Sequence, residues 1–135
     1  MQAYYYPAIV TLLVGLVYFW MAVSVARTHA RTGILAPTMT GDPVLERTYR
    51  AHVNTLEWMP IALPSMWLLA IYWSPAVAAL LGLFWLVGRV IYFLGYVAEA
   101  KKRLPGFFIQ SAAAFAMLLG ALGRIIYLMV TNTLA

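Results

Sequence analysis

Between Glu46 and Pro60 the chain sets cations, an amide and a carboxylate at intervals that a helix turns to one side. Arg47, Arg50, Asn54 and Glu57 are separated by three, four and three residues, which aligns them along one helical face. A second set, Arg89, Tyr92, Tyr96 and Arg103, steps by three, four and seven and is expected along one face of the next helix. Together these groups suit a small zwitterionic anion. Arginine binds a carboxylate through two parallel hydrogen bonds, and Glu57 can take an ammonium group. Glutathione carries both, and an arginine near its sulfur would favour the reactive thiolate. An amino acid, a nucleotide fragment or an anionic lipid headgroup would meet the same requirements.

The elements that must position these residues are membrane helices. The 135 residues suit one domain, 1–135, and are 64% hydrophobic but only 10% charged, against roughly 45–50% and about 25% in soluble proteins. Four stretches, approximately 7–26, 44–72, 76–98 and 105–130, are long enough to cross the ~30 Å hydrocarbon core at about 1.5 Å per residue. The expected class is therefore all-α, an integral, multi-pass membrane four-helix bundle in contact with membrane lipids. Met1 to Tyr6 carries no Lys or Arg, so the first stretch reads as a retained span and not a signal peptide. Cysteine is absent, which excludes disulfide scaffolds, thiolate metal sites, catalysis by the protein's own thiol and quinone-linked disulfide oxidases. The net charge of +5 resides beside the spans, so it reads as membrane orientation and not as a nucleic-acid surface.

Trp73-Ser74-Pro75 breaks the long uncharged run and makes helices two and three a tight antiparallel hairpin. The other connections are expected at Arg27 to Pro43 and around Lys101-Lys102-Arg103. Nearly all the basic residues lie on the side of these two connections, which the positive-inside bias makes cytoplasmic, with both termini on the non-cytoplasmic side. Measured from Pro75, Arg89 lies at about 21 Å, Glu57 and Tyr92 at about 26 Å, and Asn54 and Tyr96 at about 31 Å. Ionisable groups at such depths turn toward protein or a water-filled cavity, so a polar pocket open to the cytoplasm is expected. Other uses compete for these residues. Arg27, Arg31, Lys101 and Lys102 suit headgroup contact and orientation; Arg50 and Glu57 suit a structural ion pair; Tyr92 and Tyr96 suit interfacial anchoring. His29 and His52 lack a third ligand at metal spacing, so no metal is expected. Gly88 and Gly95 suit close helix approach, and Arg124 suits snorkelling to the opposite surface.

The pattern Glu46-Arg47-x-x-Arg50-Ala51-x-x-Asn54-x-x-Glu57-x-x-Pro60, followed by Arg89-x-x-Tyr92-x-x-Gly95-Tyr96 and Arg103, resembles the MAPEG family, especially its leukotriene C synthase and microsomal glutathione transferase branch. The resemblance implies a homotrimer that binds glutathione between neighbouring subunits near the cytoplasmic face. It implies that Arg50, Asn54, Glu57, Tyr92 and Tyr96 hold glutathione, with His52 and Trp58 standing where those relatives carry Gln and Tyr. Arg103 would face the sulfur, with Arg27 as a second catalytic arginine. The implied activity is a glutathione transferase or peroxidase acting on a hydrophobic electrophile or lipid hydroperoxide drawn from the bilayer. A non-catalytic fatty-acid-binding protein of the same family is the alternative. A small four-helix drug exporter fits less well, because such transporters use an acidic residue in helix one and residues 7–26 contain none.

Overall fold

The computed structural model describes residues 2–133, and these form four long helices: α1 (Tyr5–Thr32), α2 (Pro43–Tyr72), α3 (Pro75–Ala98) and α4 (Leu104–Thr133). Short 3-10 segments, Gln2–Tyr4 and Ala100–Arg103, precede α1 and α4. The helix starts are chemically specified. The Asp42 carboxylate accepts from the Val44 and Leu45 amides, both at 2.9 Å, with Pro43 opening the helix. Glu46 reaches back to accept from the Gly41 amide at 3.0 Å. Together they satisfy amides that the first turn would otherwise leave unpaired. Ser74 and Pro75 do the same for α3, where the Ser74 hydroxyl accepts from Val77 at 3.3 Å.

Two boundaries differ from the sequence reading. Residues 27–32, expected in a connection, are the last turns of α1, so Arg27, His29 and Arg31 are helical. No Gly or Pro intervenes before Gly33, and the Thr28 and Thr32 hydroxyls donate back to the Ser24 and Thr28 carbonyls at 2.8 and 2.9 Å. The helix stops where Gly33 adopts φ 73°, a left-handed conformation that glycine tolerates. Arg103, expected to continue the face of α3, instead lies beyond a break. Glu99 is extended (φ −158°, ψ 136°), and the chain re-enters as the 3-10 segment.

α1, α3 and the 33 residues of Ala100–Asn132 are long and apolar enough to cross a membrane. α2, expected as the fourth span, falls outside that class because Glu46, Arg47, Arg50, Glu57, Pro60 and Pro64 interrupt it. Its 30 residues nonetheless extend about 45 Å, and it packs on α1, α3 and α4. The most polar helix thus packs against all three of the others. Between the helices, alanines such as Ala62, Ala70, Ala78 and Ala114 are at most 1% exposed, and small residues of this kind let membrane helices approach. Leu12, Leu16, Phe19, Leu80, Phe84 and Leu119 point outward, where lipid tails can cover them.

α3 and α4 approach most closely around Gly88 and Gly106. A methyl group on Gly106 would collide with the Tyr92 backbone nitrogen and the Gly88 carbonyl, and one on Gly88 with the Gln110 backbone. A methyl group on Gly123 would meet nothing within 4 Å. Gly106→Ala is accordingly expected to cost about 1–3 kcal/mol through backbone displacement. Gly123→Ala should be neutral or stabilising by up to about 1 kcal/mol. Reversible unfolding in mixed detergent micelles checks both, and equal stability of the two variants would contradict this packing.

Candidate functional site

Arg89 is 0% exposed, and a buried cation must find replacement for its water shell within the protein. Its two terminal nitrogens donate to Asn54 Oδ1, both at 3.2 Å. Nε and one terminal nitrogen donate to Thr55 Oγ1 at 3.3 and 2.7 Å. The guanidinium also lies over the Tyr92 ring, 4.1 Å from its centroid, a cation–π contact strengthened by desolvation. The Thr55 hydroxyl gives its own proton to the Ala51 carbonyl at 2.9 Å, so its oxygen is available to accept. Every one of these partners is neutral.

With its oxygen committed to Arg89, the Asn54 amide must direct its nitrogen elsewhere. It donates to Glu57 Oε2 at 3.0 Å, while Glu57 Oε1 accepts from Arg50 at 3.2 Å. The Arg50 and Glu57 side chains are 55% and 48% exposed, so their ion pair is solvated and contributes little to stability. The order of burial runs from Arg89 inside to Arg50 at the surface. On α3 the Tyr92 and Tyr96 rings are 5.6 Å apart. The Arg103 guanidinium lies 5.0 Å from the Tyr96 centroid and donates to the Ala100 carbonyl at 2.8 Å. Gly95 allows this return, because a side chain there would strike the Lys102 carbonyl.

A cleft of about 400 Å³ opens between the start of α2 and the end of α3, lined by Pro43, Glu46, Arg47, Arg50, Tyr96 and Ala100. Arg47 donates to the Val97 carbonyl at 3.2 and 3.1 Å. That carbonyl belongs to the last turn of α3, where acceptors lack helical partners and a cation is favoured. Arg47 therefore ties the two walls of the cleft together, and Arg50, paired with Glu57, is the wall's exposed cation. The arrangement can exchange its own ion pair for one brought by a zwitterion: carboxylate to Arg50, ammonium to Glu57.

Of the residues expected from sequence, Arg50, Asn54, Glu57, Tyr92, Tyr96 and Arg103 form one continuous run of contacts that passes through Arg89. His52 points away, stacked on Tyr18 of α1 with ring centroids 4.4 Å apart. Trp58 packs edge-on against Phe107 and Phe115 of α4, at 6.0 and 6.4 Å. Arg27 is exposed on α1, outside this run of contacts; of the residues in the run, Arg50 and Tyr96 line the cleft itself. The roles of Thr55 and of Arg47 as a cap for α3 were missed. The depth of Arg89 was the available signal for the first, since so deep a cation requires acceptors on the neighbouring helix. The second had no signal, because a backbone carbonyl as partner leaves no trace in side-chain spacing.

The sequence model of the MAPEG family matches residues 7–123. An uncharacterized protein of Synechocystis is 39% identical over 122 residues, covering 90% of this chain and 89% of that one. Human microsomal glutathione S-transferase 2 is 37% identical over 105 residues, 77% and 71% of the two chains. Guinea-pig (Cavia porcellus) leukotriene C4 synthase is 36% identical over 111 residues, 82% and 74%.

The forked bonding of Arg89 predicts that Arg89→Lys keeps the charge but destabilises the bundle by about 1.5–3 kcal/mol, the usual worth of hydrogen bonds to a charged group. A double-mutant cycle with Glu57→Gln should return a coupling of at least about 0.5 kcal/mol, since both act on Asn54. Strict additivity in unfolding measurements would show that the two ends of the run are independent.

Proposed function

The chain belongs to the MAPEG family, and from that membership and the cleft on α2 we propose that it is a glutathione-dependent membrane enzyme, a transferase or peroxidase acting on hydrophobic electrophiles. The observation that carries the reading is the solvated Arg50–Glu57 pair, held in register by an Asn54 amide that Arg89 has already oriented. Glutathione presents a carboxylate and an ammonium that replace the pair without leaving a charge unmatched. The relatives named as a glutathione S-transferase and as leukotriene C4 synthase support the same ligand.

In this mechanism Arg50, Asn54 and Glu57 fix the peptide along α2, and Tyr92 and Tyr96 border it on α3. Holding the sulfur in place supplies the proximity contribution to rate. Arg103, oriented by the Ala100 carbonyl and the Tyr96 ring, stabilises the thiolate. With an electrophilic carbon, the sulfur–carbon bond forms as the leaving group departs with its electron pair, or as an enone accepts the pair and then a proton. With a hydroperoxide, the thiolate attacks the terminal oxygen and releases the alcohol. A second glutathione then converts the resulting sulfenic acid to disulfide and water. The lipophilic substrate enters from the bilayer. A homotrimer would give each open cleft a second wall, and Arg27, exposed on the last turns of α1, is the arginine we assign to a neighbour's site. The positive-inside bias of the basic residues around the cleft supports a cytoplasmic location for it.

Arg50→Ala and Glu57→Gln should each weaken glutathione binding by about 1.5–3 kcal/mol, measured by calorimetry on the purified oligomer. Arg103→Ala should retain binding but slow conjugation of an activated aryl halide at saturating glutathione, because the lost interaction belongs to the anion at sulfur. Unchanged affinity in both α2 variants would make the α2 pair purely structural. Tight glutathione binding by the unmodified protein without turnover of aryl halides, enones or lipid hydroperoxides would favour the lipid-binding alternative.

A further inference from the structure

Arg124 is the one Lys or Arg at the end of the bundle that carries the α2–α3 turn, and no acidic residue lies near it in the sequence or along its neighbours. Glu57, the acidic residue of α2 closest to that turn, is 15 residues from Tyr72, roughly 22 Å along the helix. Among the described residues Arg124 makes no ion pair. It is held in place all the same. Its Nε donates to the Tyr72 carbonyl at 3.2 Å, at the C-terminal end of α2, and its guanidinium lies 5.3 Å from the Tyr127 centroid. With Nε so engaged, the forked terminal nitrogens of the guanidinium are presented as a unit.

Beside this cation is a second cleft, about 390 Å³, lined by Trp73, Leu119, Gly120, Gly123 and Arg124. Its composition is amphipathic: one cation at the level of the helix turn, and below it a furrow where two glycines remove side chains from the surface of α4. Tyr72, Trp73 and Tyr127 are 44%, 58% and 58% exposed, and exposed Trp and Tyr at a helix end mark the depth of the lipid headgroups. A fixed, unpaired guanidinium at that depth faces phosphate, and arginine binds phosphate through paired hydrogen bonds. An apolar furrow running from it toward the bilayer centre faces an acyl chain.

We propose that this cleft is a binding site for an anionic phospholipid, with the phosphate on Arg124 and one acyl chain along Leu119, Gly120 and Gly123. It is separate from the glutathione cleft and independent of the reaction assigned there. A net negative headgroup is specified because a zwitterionic lipid carries its own cation, whereas Arg124 has no counter-ion among the described residues.

Native mass spectrometry of the full-length, detergent-purified protein tests the site, using phosphatidylglycerol, phosphatidylcholine with the same acyl chains, and inorganic phosphate as probes. Phosphatidylglycerol should be retained in preference to phosphatidylcholine, and inorganic phosphate should not displace it. Arg124→Gln should lower retention of phosphatidylglycerol by about tenfold, the lower end of what a charge-assisted hydrogen bond supplies, and Arg124→Lys should lower it less. Gly123→Leu should lower it as well while leaving Arg124 intact. Its side chain would enter the furrow from a position where an added Cβ meets nothing within 4 Å, and retained glutathione binding reads that the variant has folded. Glutathione binding should be unchanged in all three variants. Equal retention of the two lipids, or full retention in Arg124→Gln and Gly123→Leu, would overturn the proposal. Displacement by inorganic phosphate would make the site one for a free anion. A changed oligomeric mass in Arg124→Gln would make the arginine a subunit contact, and either result would also overturn it.

Discussion

Arg89 carries a positive charge to a place from which solvent is excluded, and among the described residues no carboxylate bonds to it there. A charged side chain at the centre of a membrane helix costs about 2.5–3.5 kcal/mol on insertion scales, and the bundle offsets that cost with an amide oxygen, a hydroxyl and an aromatic face. Meeting this demand requires α2 and α3 to stand in one register, with Asn54 and Thr55 opposite Arg89. Much of the bundle around the site follows from that register. Gly88, the residue before Arg89, lies against the Gln110 backbone and Gly106 against Tyr92, so α4 is drawn to the same level.

The consequence for the surface is a gradient of commitment. Asn54 is tied to Arg89, Arg47 is tied to the last turn of α3, and Arg50 is paired with Glu57, which also accepts from Asn54, in partial contact with water. A buried ion pair would resist exchange, because separating it strands two charges. A half-exposed pair gives up little when a ligand supplies equivalent charges, and its fixed neighbours keep the ligand's groups in place. The binding proposed here would draw on the rigidity that solvates Arg89.

Helical periodicity made Arg50, Asn54 and Glu57 legible as one face, and Trp73-Ser74-Pro75 made the α2–α3 turn legible, because both depend on local geometry. The end of α1 was harder to place. A run of polar residues reads as a loop, yet threonine hydroxyls that bond to their own helix allow it to continue to Gly33. Arg103 does reach Tyr96, but by a break at Glu99 and a 3-10 return that no periodicity encodes. His52 entered through family resemblance alone. At about 100° per residue it stands some 200° from both Arg50 and Asn54, and it stacks on α1 accordingly. A contact between chains, such as the one proposed for Arg27, leaves no periodic signal within a single chain.

The central claim is that a site organised by Arg89 binds glutathione and that Arg103 turns it into a nucleophile. Ultraviolet difference spectroscopy on mixing the purified protein with saturating glutathione near neutral pH reads that conversion before any electrophile is present. The account predicts thiolate absorbance above that of free glutathione, strongly diminished in Arg103→Ala at equal occupancy. Undiminished thiolate in Arg103→Ala, or none in the unmodified protein with glutathione bound, would contradict it.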